Sequence, residues 1–168
     1  MNGRSHRRRR KGGTLRDGER RQLALASRHG AVAPPAGGRC DRVLCDGGSR
    51  GNPGPAAIAA VLVTAGGEVA ARRAEPIGRA TAAAAEYRAI LLGLRLAASR
   101  GIETLDVCSD SKLAIAGVSG AGPGDPELAE LVREIGVATQ PFARVGWIWH
   151  PRAENGAADA LVRELLWG

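Results

Sequence analysis

Four acidic residues lie in surroundings where a charge is costly. Asp46 and Asp110 each follow a short, largely apolar stretch, and Glu86 and Asp159 lie within Ala- and Leu-rich helical stretches. Carboxylates that meet in such surroundings repel one another and raise their pKa values unless cations neutralise them. Oxygen-only ligands suit Mg²⁺ or Mn²⁺, which bind through carboxylates, water and substrate phosphate. The four acids therefore predict a divalent-metal site.

A site of this kind has a defined chemistry. Two divalent ions about 4 Å apart can activate water and stabilise the leaving oxygen of an in-line phosphoryl displacement. Each acid alone also has a structural interpretation: Asp46 as a turn residue, Asp110 as a helix cap, Glu86 as a helix acid that snorkels to solvent, and Asp159 as a solvated helix charge. Because those interpretations would have to hold at all four positions at once, we favour a single metal-dependent nuclease site.

The hydrophobic pattern predicts the elements that must position these acids. Strands are expected over 42–46, 56–64, 68–75, 104–109 and 142–149, and helices over 81–99, 111–118, 126–135 and 154–166. The order is βββαβααβα. Three meandering strands followed by alternating strands and helices predict an α/β fold, a five-stranded mixed sheet with helices on both faces.

That order also predicts where the acids meet. If the first and fourth strands are parallel neighbours, Asp46 and Asp110 emerge at the same edge of the sheet. Glu86 lies four residues before the apolar Ile90, and Asp159 lies three before Val162, so both are expected on core-facing helix surfaces. All four acids would then converge at one end of the sheet.

The basic charge is concentrated in the first 39 residues. This segment holds eleven of the 24 Lys and Arg residues and two of the 17 acids, a net charge of +9, whereas residues 40–168 hold 13 basic and 15 acidic residues. Residues 1–39 lack aromatic side chains, so we expect a disordered basic tail before a catalytic domain at 40–168. Its charge could attract phosphate backbones without sequence preference. An unselected leader and a transit peptide are the alternatives.

The sequence also bounds the cellular setting. No apolar run approaches the length of about 20 residues that a membrane span needs, and no secretory signal follows the basic start, so we expect a soluble, cytoplasmic protein without a membrane partner. Cys40, Cys45 and Cys108 suit neither a disulfide framework nor a zinc site, and Cys45 and Cys108 are expected to be small buried residues. The oligomeric state is left open.

Four segments together resemble type 1 ribonuclease H, in particular its short reverse-transcriptase-like branch. They occur in the family's order over roughly residues 41–166 and read DGGSRGNPGP at 46–55, AEYRAILLGL at 85–94, SDSKLAI at 109–115 and HPRAENGAADAL at 150–161. The resemblance implies a ribonuclease H-like fold and cleavage of the RNA strand of RNA/DNA hybrids with two Mg²⁺ ions, Mn²⁺ being an alternative.

The resemblance also implies roles for individual residues. Asp46 matches the aspartate that bridges both metals, Glu86 and Asp110 match the ligands completing one metal, and Asp159 matches the ligand of the metal that carries the attacking water. Contacts with the hybrid are expected from Ser49, Arg50, Gly51, Asn52, Lys112 and Asn155.

Two departures from the family pattern concern the substrate. Ala82 and Ala83 stand where the family has two asparagines, and alanine offers no hydrogen bond to a minor groove. The stretch 111–126 has one cation, Lys112, and no aromatic residue, unlike the basic, tryptophan-rich helix of larger bacterial enzymes. A nucleic-acid-binding module with weak catalysis is therefore the alternative function. A basic-tailed RNA adaptor, based on residues 4–11, is a further one.

Several aromatic residues near the C-terminus are expected to have structural roles. Trp147, Trp149 and Trp167 are expected to pack in the core or an interface rather than to stack on bases. His150 is expected at the end of the last strand, with proton transfer as the alternative.

Overall fold

A five-stranded mixed sheet organises residues 40–168, the part of the chain that this computed structural model describes. The expected basic tail at 1–39 lies outside the described residues. The strands are β1 (Asp41–Ser49), β2 (Gly54–Val63), β3 (Val69–Ala80), β4 (Thr104–Ser109) and β5 (Arg144–Trp149), in the spatial order β3-β2-β1-β4-β5. The helices are α1 (Ala82–Ser99), α2 (Lys112–Ala116), which continues as a π-helical turn (Gly117–Ala121), α3 (Pro126–Ala138) and α4 (Gly156–Trp167), preceded by a 3₁₀ turn (Arg152–Glu154).

The strand directions confirm the predicted mixed sheet. β1 pairs antiparallel with β2 and parallel with β4, which in turn pairs parallel with β5. Cys45 is the register partner of Ser109, so the residues that follow them, Asp46 and Asp110, lie at the same level of the sheet.

Helices cover both faces of the sheet, as predicted, and each face has its own apolar core. One core contains the buried side of α1, including Tyr87, Ile90 and Leu94, together with residues of α3. The other is smaller and packs Val162 and Leu166 of α4 against β2. β2 belongs to both cores because alternate strand residues point to opposite faces, and this explains its continuous apolar sequence.

Strand lengths differ from the prediction where glycine and proline occur. β1 continues through Gly47 and Gly48 to Ser49, since Ser49 is still paired with Ala56 of β2. β3 extends to Ala80 although Pro76 lies within it, because β3 is an edge strand with a register shift at this point. An edge strand tolerates proline, whose missing N–H removes no sheet hydrogen bond on the open side.

Among residues 40–168, no helix combines the length and apolar character needed to cross a bilayer.

Candidate metal centre

Asp46 and Asp110 come from neighbouring strands. Asp46 lies inside β1 rather than at its end and is 5% exposed. β4 stops at Ser109, and Asp110 follows it directly. The hydroxyl of Ser111, not the Asp110 carboxylate, caps α2 by accepting a hydrogen bond from the Ala114 N–H at 3.1 Å. The cap interpretation of Asp110 is therefore wrong, and its carboxylate is free of that contact.

Glu86 reaches the same place from α1. The Thr81 hydroxyl caps this helix by accepting from the Ala84 N–H at 3.1 Å, which fixes where the first turn begins. Gly47 lies so close to the helix backbone that a Cβ there would be 2.3 Å from the Ala85 carbonyl carbon and oxygen. This close approach of strand and helix places Glu86 beside Asp46.

The three carboxylates form a compact group. Asp46, Glu86 and Asp110 each offer an oxygen atom, and these atoms lie within 4.8 Å of one another. One Glu86 oxygen, Oε2, is buried without a hydrogen-bond partner. A buried carboxylate oxygen without a donor is costly, and a cation would satisfy it. The oxygen-only donor set and this orphaned atom fit Mg²⁺ or Mn²⁺.

Burial and repulsion from neighbouring carboxylates raise the pKa values of Asp46 and Glu86. Burial, followed by the charges of Asp110 and Asp159, raises the pKa of Asp46 to about 7. Burial, followed by the charges of Asp46 and Asp110, raises the pKa of Glu86 to about 9, although the Gly47 backbone N–H acts in the opposite direction. Glu86 therefore tends to keep a proton at neutral pH, which a divalent cation would displace.

Asp159 approaches from the opposite face of the sheet, on α4, and its carboxylate is held by arginines. Its Oδ1 accepts a hydrogen bond from Arg152 Nη2 at 2.5 Å, and its Oδ2 is 4.0 Å from Arg163 Nη1. The hydrogen bond and charge of Asp159 raise the pKa of Arg152, and the charge of Arg152 partly offsets the rise in the pKa values of Asp46 and Glu86.

The structure thus brings Asp159 near the three-carboxylate group without including it in that group. Arg152 was not predicted as a functional residue. The available signal was its position in the turn just before the helix that carries Asp159.

Asn155 lies beneath the site rather than on its surface. Its side chain is 0% exposed, and its Nδ2 donates to the Cys45 carbonyl oxygen at 2.9 Å. A contact between Asn155 and substrate stays a prediction. Because Cys45 precedes Asp46 and Asn155 precedes α4, the bond ties the Asp46 strand to the Asp159 helix.

The turn predicted to touch substrate is held by internal contacts. Arg50 Nη1 donates to the Leu166 carbonyl at 3.3 Å, at the C-terminal end of α4. Asn52 Oδ1 accepts from the Ala82 N–H at 3.0 Å, at the start of α1. Arg50, Gly51 and Asn52 remain exposed, while the Ser49 hydroxyl is buried without a hydrogen-bond partner. The turn therefore bridges the starting end of α1 and the final turn of α4, next to the acids.

Lys112 and two of the aromatic residues complete the surroundings. Lys112 Nζ lies 4.6 Å from the ring centroid of Trp149, whose Nε1 donates to the Asp110 carbonyl at 3.0 Å. His150 is buried at the end of β5, and its backbone N–H donates to the Ser109 carbonyl.

The sheet order, the helices on both faces and the acidic group define a ribonuclease H-like protein. A model of the reverse transcriptase-like family matches residues 44–165. The ribonuclease HI of Halobacterium salinarum is 40% identical over 140 residues, which make up 80% of this chain and 68% of that protein. Its crystal structure superposes with a TM-score of 0.72 at 38% identity, covering 74% of this chain and 95% of the archaeal chain. The chain belongs to the type 1 ribonuclease H family.

Two further relatives are informative. A bifunctional protein of Mycobacterium tuberculosis is 41% identical over 126 residues, 74% of this chain, and the match spans 35% of the mycobacterial protein's length. The solved N-terminal RNase H domain of that protein gives a TM-score of 0.72 at 39% identity, covering 76% of this chain and 93% of the solved chain. LC11-RNase H1, solved in complex with an RNA/DNA hybrid, superposes with a TM-score of 0.69 at 29% identity. The match covers 74% of this chain and 94% of the LC11 chain.

Proposed function

We propose that the chain is a divalent-metal-dependent endoribonuclease that cleaves the RNA strand of RNA/DNA hybrids. The observation that carries this proposal is the juxtaposition of Asp46, Glu86 and Asp110 with an unsatisfied, buried Glu86 oxygen. The substrate class is supported by the hybrid complex of LC11-RNase H1 and by the family of the chain.

The placement of the acids suggests a division of labour. Cations bound by them would supply activation of water and neutralisation of charge on the scissile phosphate. The charges of both Asp110 and Asp159 act on Asp46, so Asp46 would contribute to holding both ions of a two-metal site. Glu86 and Asp110 would help to hold one cation, and Asp159 would help to hold the other once Arg152 shares or yields its carboxylate.

Substrate recognition is assigned to the exposed surface beside the acids. The turn containing Arg50, Gly51 and Asn52 lies next to the start of α1, at Ala82. Such a surface suits the wide minor groove of an A-like duplex, where 2′-hydroxyl groups distinguish RNA from DNA.

The direct test uses a hybrid labelled on either strand. The full chain is incubated with it in Mg²⁺ or Mn²⁺, beside Asp46→Asn and beside duplex DNA of the same sequence. We expect metal-dependent cutting of the RNA strand alone, leaving 3′-hydroxyl and 5′-phosphate ends, and no cutting by the variant. Absence of metal-dependent cutting by the wild-type chain would refute the proposal.

A nucleic-acid-binding module with weak catalysis is the second candidate, and Ala82 and Ala83 favour it. Both lie partly buried in the first turn of α1 and offer no side-chain donor or acceptor. The double variant Ala82→Asn/Ala83→Asn should tighten hybrid binding, and it should raise kcat/KM if weak binding of the hybrid limits the reaction. Tighter binding without any cutting would support the binding module instead.

We also propose that residues 1–39 add an electrostatic contribution to binding, because this segment has a net charge of +9 from eleven basic and two acidic residues. Deleting residues 1–39 should then weaken hybrid binding and flatten its dependence on salt concentration. Unchanged binding and an unchanged salt slope would exclude that contribution.

A further inference from the structure

Trp149 is an exposed aromatic residue beside a metal-site carboxylate. The expectation of packing holds for Trp147, which lies against the larger apolar core. Trp149 does not pack in the core, because its side chain is 43% exposed at the end of the edge strand β5, and an interface role for it stays a prediction. An aromatic ring that is left this exposed forgoes much of the stabilisation that its burial would give. Its position therefore calls for a reason other than core packing.

Two contacts hold the Trp149 ring in place. Its Nε1 donates to the backbone carbonyl of Asp110 at 3.0 Å, and Lys112 Nζ lies 4.6 Å from its centroid. Ser109, next to Asp110, is its register partner across the β4–β5 ladder. The ring is thus fixed relative to the backbone that carries Asp110.

The Lys112 ammonium group is available to bind an anion. Among the ion pairs of the described residues 40–168, Lys112 has none. It is also the sole cation between residues 111 and 126. An ammonium group held over an aromatic face and lacking a carboxylate partner is well suited to a phosphate.

We propose that Lys112 and Trp149 form a backbone-binding platform for one strand of the nucleic acid. The exposed part of the indole packs against a sugar, and the Lys112 ammonium pairs with an adjoining phosphate. A duplex keeps its bases paired, so sugar and phosphate are the groups it offers to such a surface. The bond from Trp149 to the Asp110 carbonyl links this contact to the metal site. This proposal rests on the proposed function. The platform would supply a contact with the hybrid that Ala82 and Ala83 cannot make.

Binding is measured separately from cutting. In an Asp46→Asn background, which blocks catalysis, a fluorescent RNA/DNA hybrid is titrated with Trp149→Leu, Trp149→Phe and Lys112→Met. Val137→Ala is the exposed apolar control, since Val137 is 63% exposed on α3. Arg95→Met on α1 is the cation control. Circular dichroism verifies that each variant is folded, and if Trp149→Leu does not fold, Lys112→Met and Trp149→Phe decide.

The platform predicts a distinct pattern. Trp149→Leu and Lys112→Met each weaken binding by roughly threefold or more, while both controls bind as the parent does. The two effects are non-additive in the double variant. Lys112→Met lowers the slope of log affinity against log salt by about 1. Trp149→Phe retains binding within about twofold but lowers kcat in the otherwise wild-type enzyme, because the bond to Asp110 is lost.

Other results overturn the platform. If Trp149→Leu and Lys112→Met bind hybrid as tightly as the parent while the wild-type chain still cuts it, the platform fails and the proposed function stands. If the wild-type chain neither binds nor cuts hybrid, both fail together. If Trp149→Leu changes the sedimentation of the protein but not its hybrid affinity, the face is a protein contact instead.

Discussion

Gly47 of β1 and Ala85 of α1 touch backbone to backbone, at a separation that leaves no room for a side chain on Gly47. A Cβ there would lie 2.3 Å from the Ala85 carbonyl oxygen and 2.6 Å from the Glu86 nitrogen. Backbone atoms cannot move aside as a flexible side chain can. This contact therefore sets the distance between Asp46, which precedes Gly47, and Glu86, which follows Ala85.

Gly47→Ala should separate β1 from α1 at the metal site. Forced overpacking of this kind costs about 1–3 kcal/mol or more, and here the displaced atoms carry the ligands. We expect a lower free energy of unfolding in urea and a larger loss of metal-dependent activity. Gly136→Ala on α3 is the control, because a Cβ there meets nothing within 4 Å. It should be neutral or slightly stabilising, since alanine favours helix. If Gly47→Ala left both the free energy of unfolding and the activity unchanged, the contact between β1 and α1 would be easily deformed.

The acidic group should make the metal-free protein less stable as pH rises. The folded-state pKa values of Asp46 and Glu86 are about 7 and about 9, above those of the unfolded chain. The folded state therefore binds more protons than the unfolded chain. The stability that these two groups contribute is fully present below about pH 4 and is lost as pH rises through about 7 and about 9. We expect the free energy of unfolding to fall by several kcal/mol between pH 5 and pH 8 in chelator, measured by urea titration.

Two controls separate this effect from general alkaline unfolding. Glu86→Gln carries no titrating group at that position and should show a shallower fall with pH. Mg²⁺ should restore stability most at the higher pH, because binding competes with protons. If the metal-free stability rose between pH 5 and pH 8, the acids would be ionised in the folded state and the raised pKa values would be wrong.

Asn155→Ala should loosen the tie between β1 and α4. The substitution leaves the buried Cys45 carbonyl without the amide donor, a loss worth about 1–3 kcal/mol. Because the bond ties the strand of Asp46 to the helix of Asp159, we also expect a higher Mg²⁺ concentration at half-maximal activity. Ser99→Ala is the control, since its hydroxyl donates to the Leu96 carbonyl on the surface, at the far end of α1. A stability loss with an unchanged Mg²⁺ titration would limit Asn155 to a structural role.

Arg152→Met should free the Asp159 carboxylate for a cation. The Arg152 side chain is 72% exposed, and exposed ion pairs contribute about 0–1 kcal/mol, so stability should change little. The apparent affinity for Mn²⁺, measured by calorimetry without substrate, should rise because a competing positive charge is gone. Arg163→Met, which removes the pair at 4.0 Å, should have a smaller effect. Weaker Mn²⁺ binding by Arg152→Met would indicate that Arg152 orients Asp159 for the ion.

Sequence patterns predicted the fold well because the periodicity of its elements is strong. The five strands, the helix over 81–99 with Thr81 as its cap, and helices on both faces are confirmed. The end of β1 was not predicted, because Gly47 and Gly48 are typical of a turn. Only the pairing of Ser49 with Ala56 shows that the strand continues.

The site was predicted in type but not in detail. The convergence of Asp46 and Asp110 follows from parallel neighbouring strands, which chain order can suggest. The burial of Asn155, the hold of Arg152 on Asp159 and the exposure of Trp149 depend on where loops and strand ends come to lie in three dimensions. No local pattern encodes such distances, so these contacts could not be predicted from the sequence.

The two apolar cores lie on opposite faces of the sheet, and the four acids are carried by elements from both faces. Asp46, Glu86 and Asp110 meet beside α1, whereas Asp159 is carried by α4, which packs on the smaller core. Cations held by these four acids would link α1 and α4 through the sheet, so that α4 could not detach without releasing metal. Hydrogen exchange in α4 would then slow on loading with metal until it opens together with α1, and catalytic competence and cooperative unfolding would become properties of the same four carboxylates.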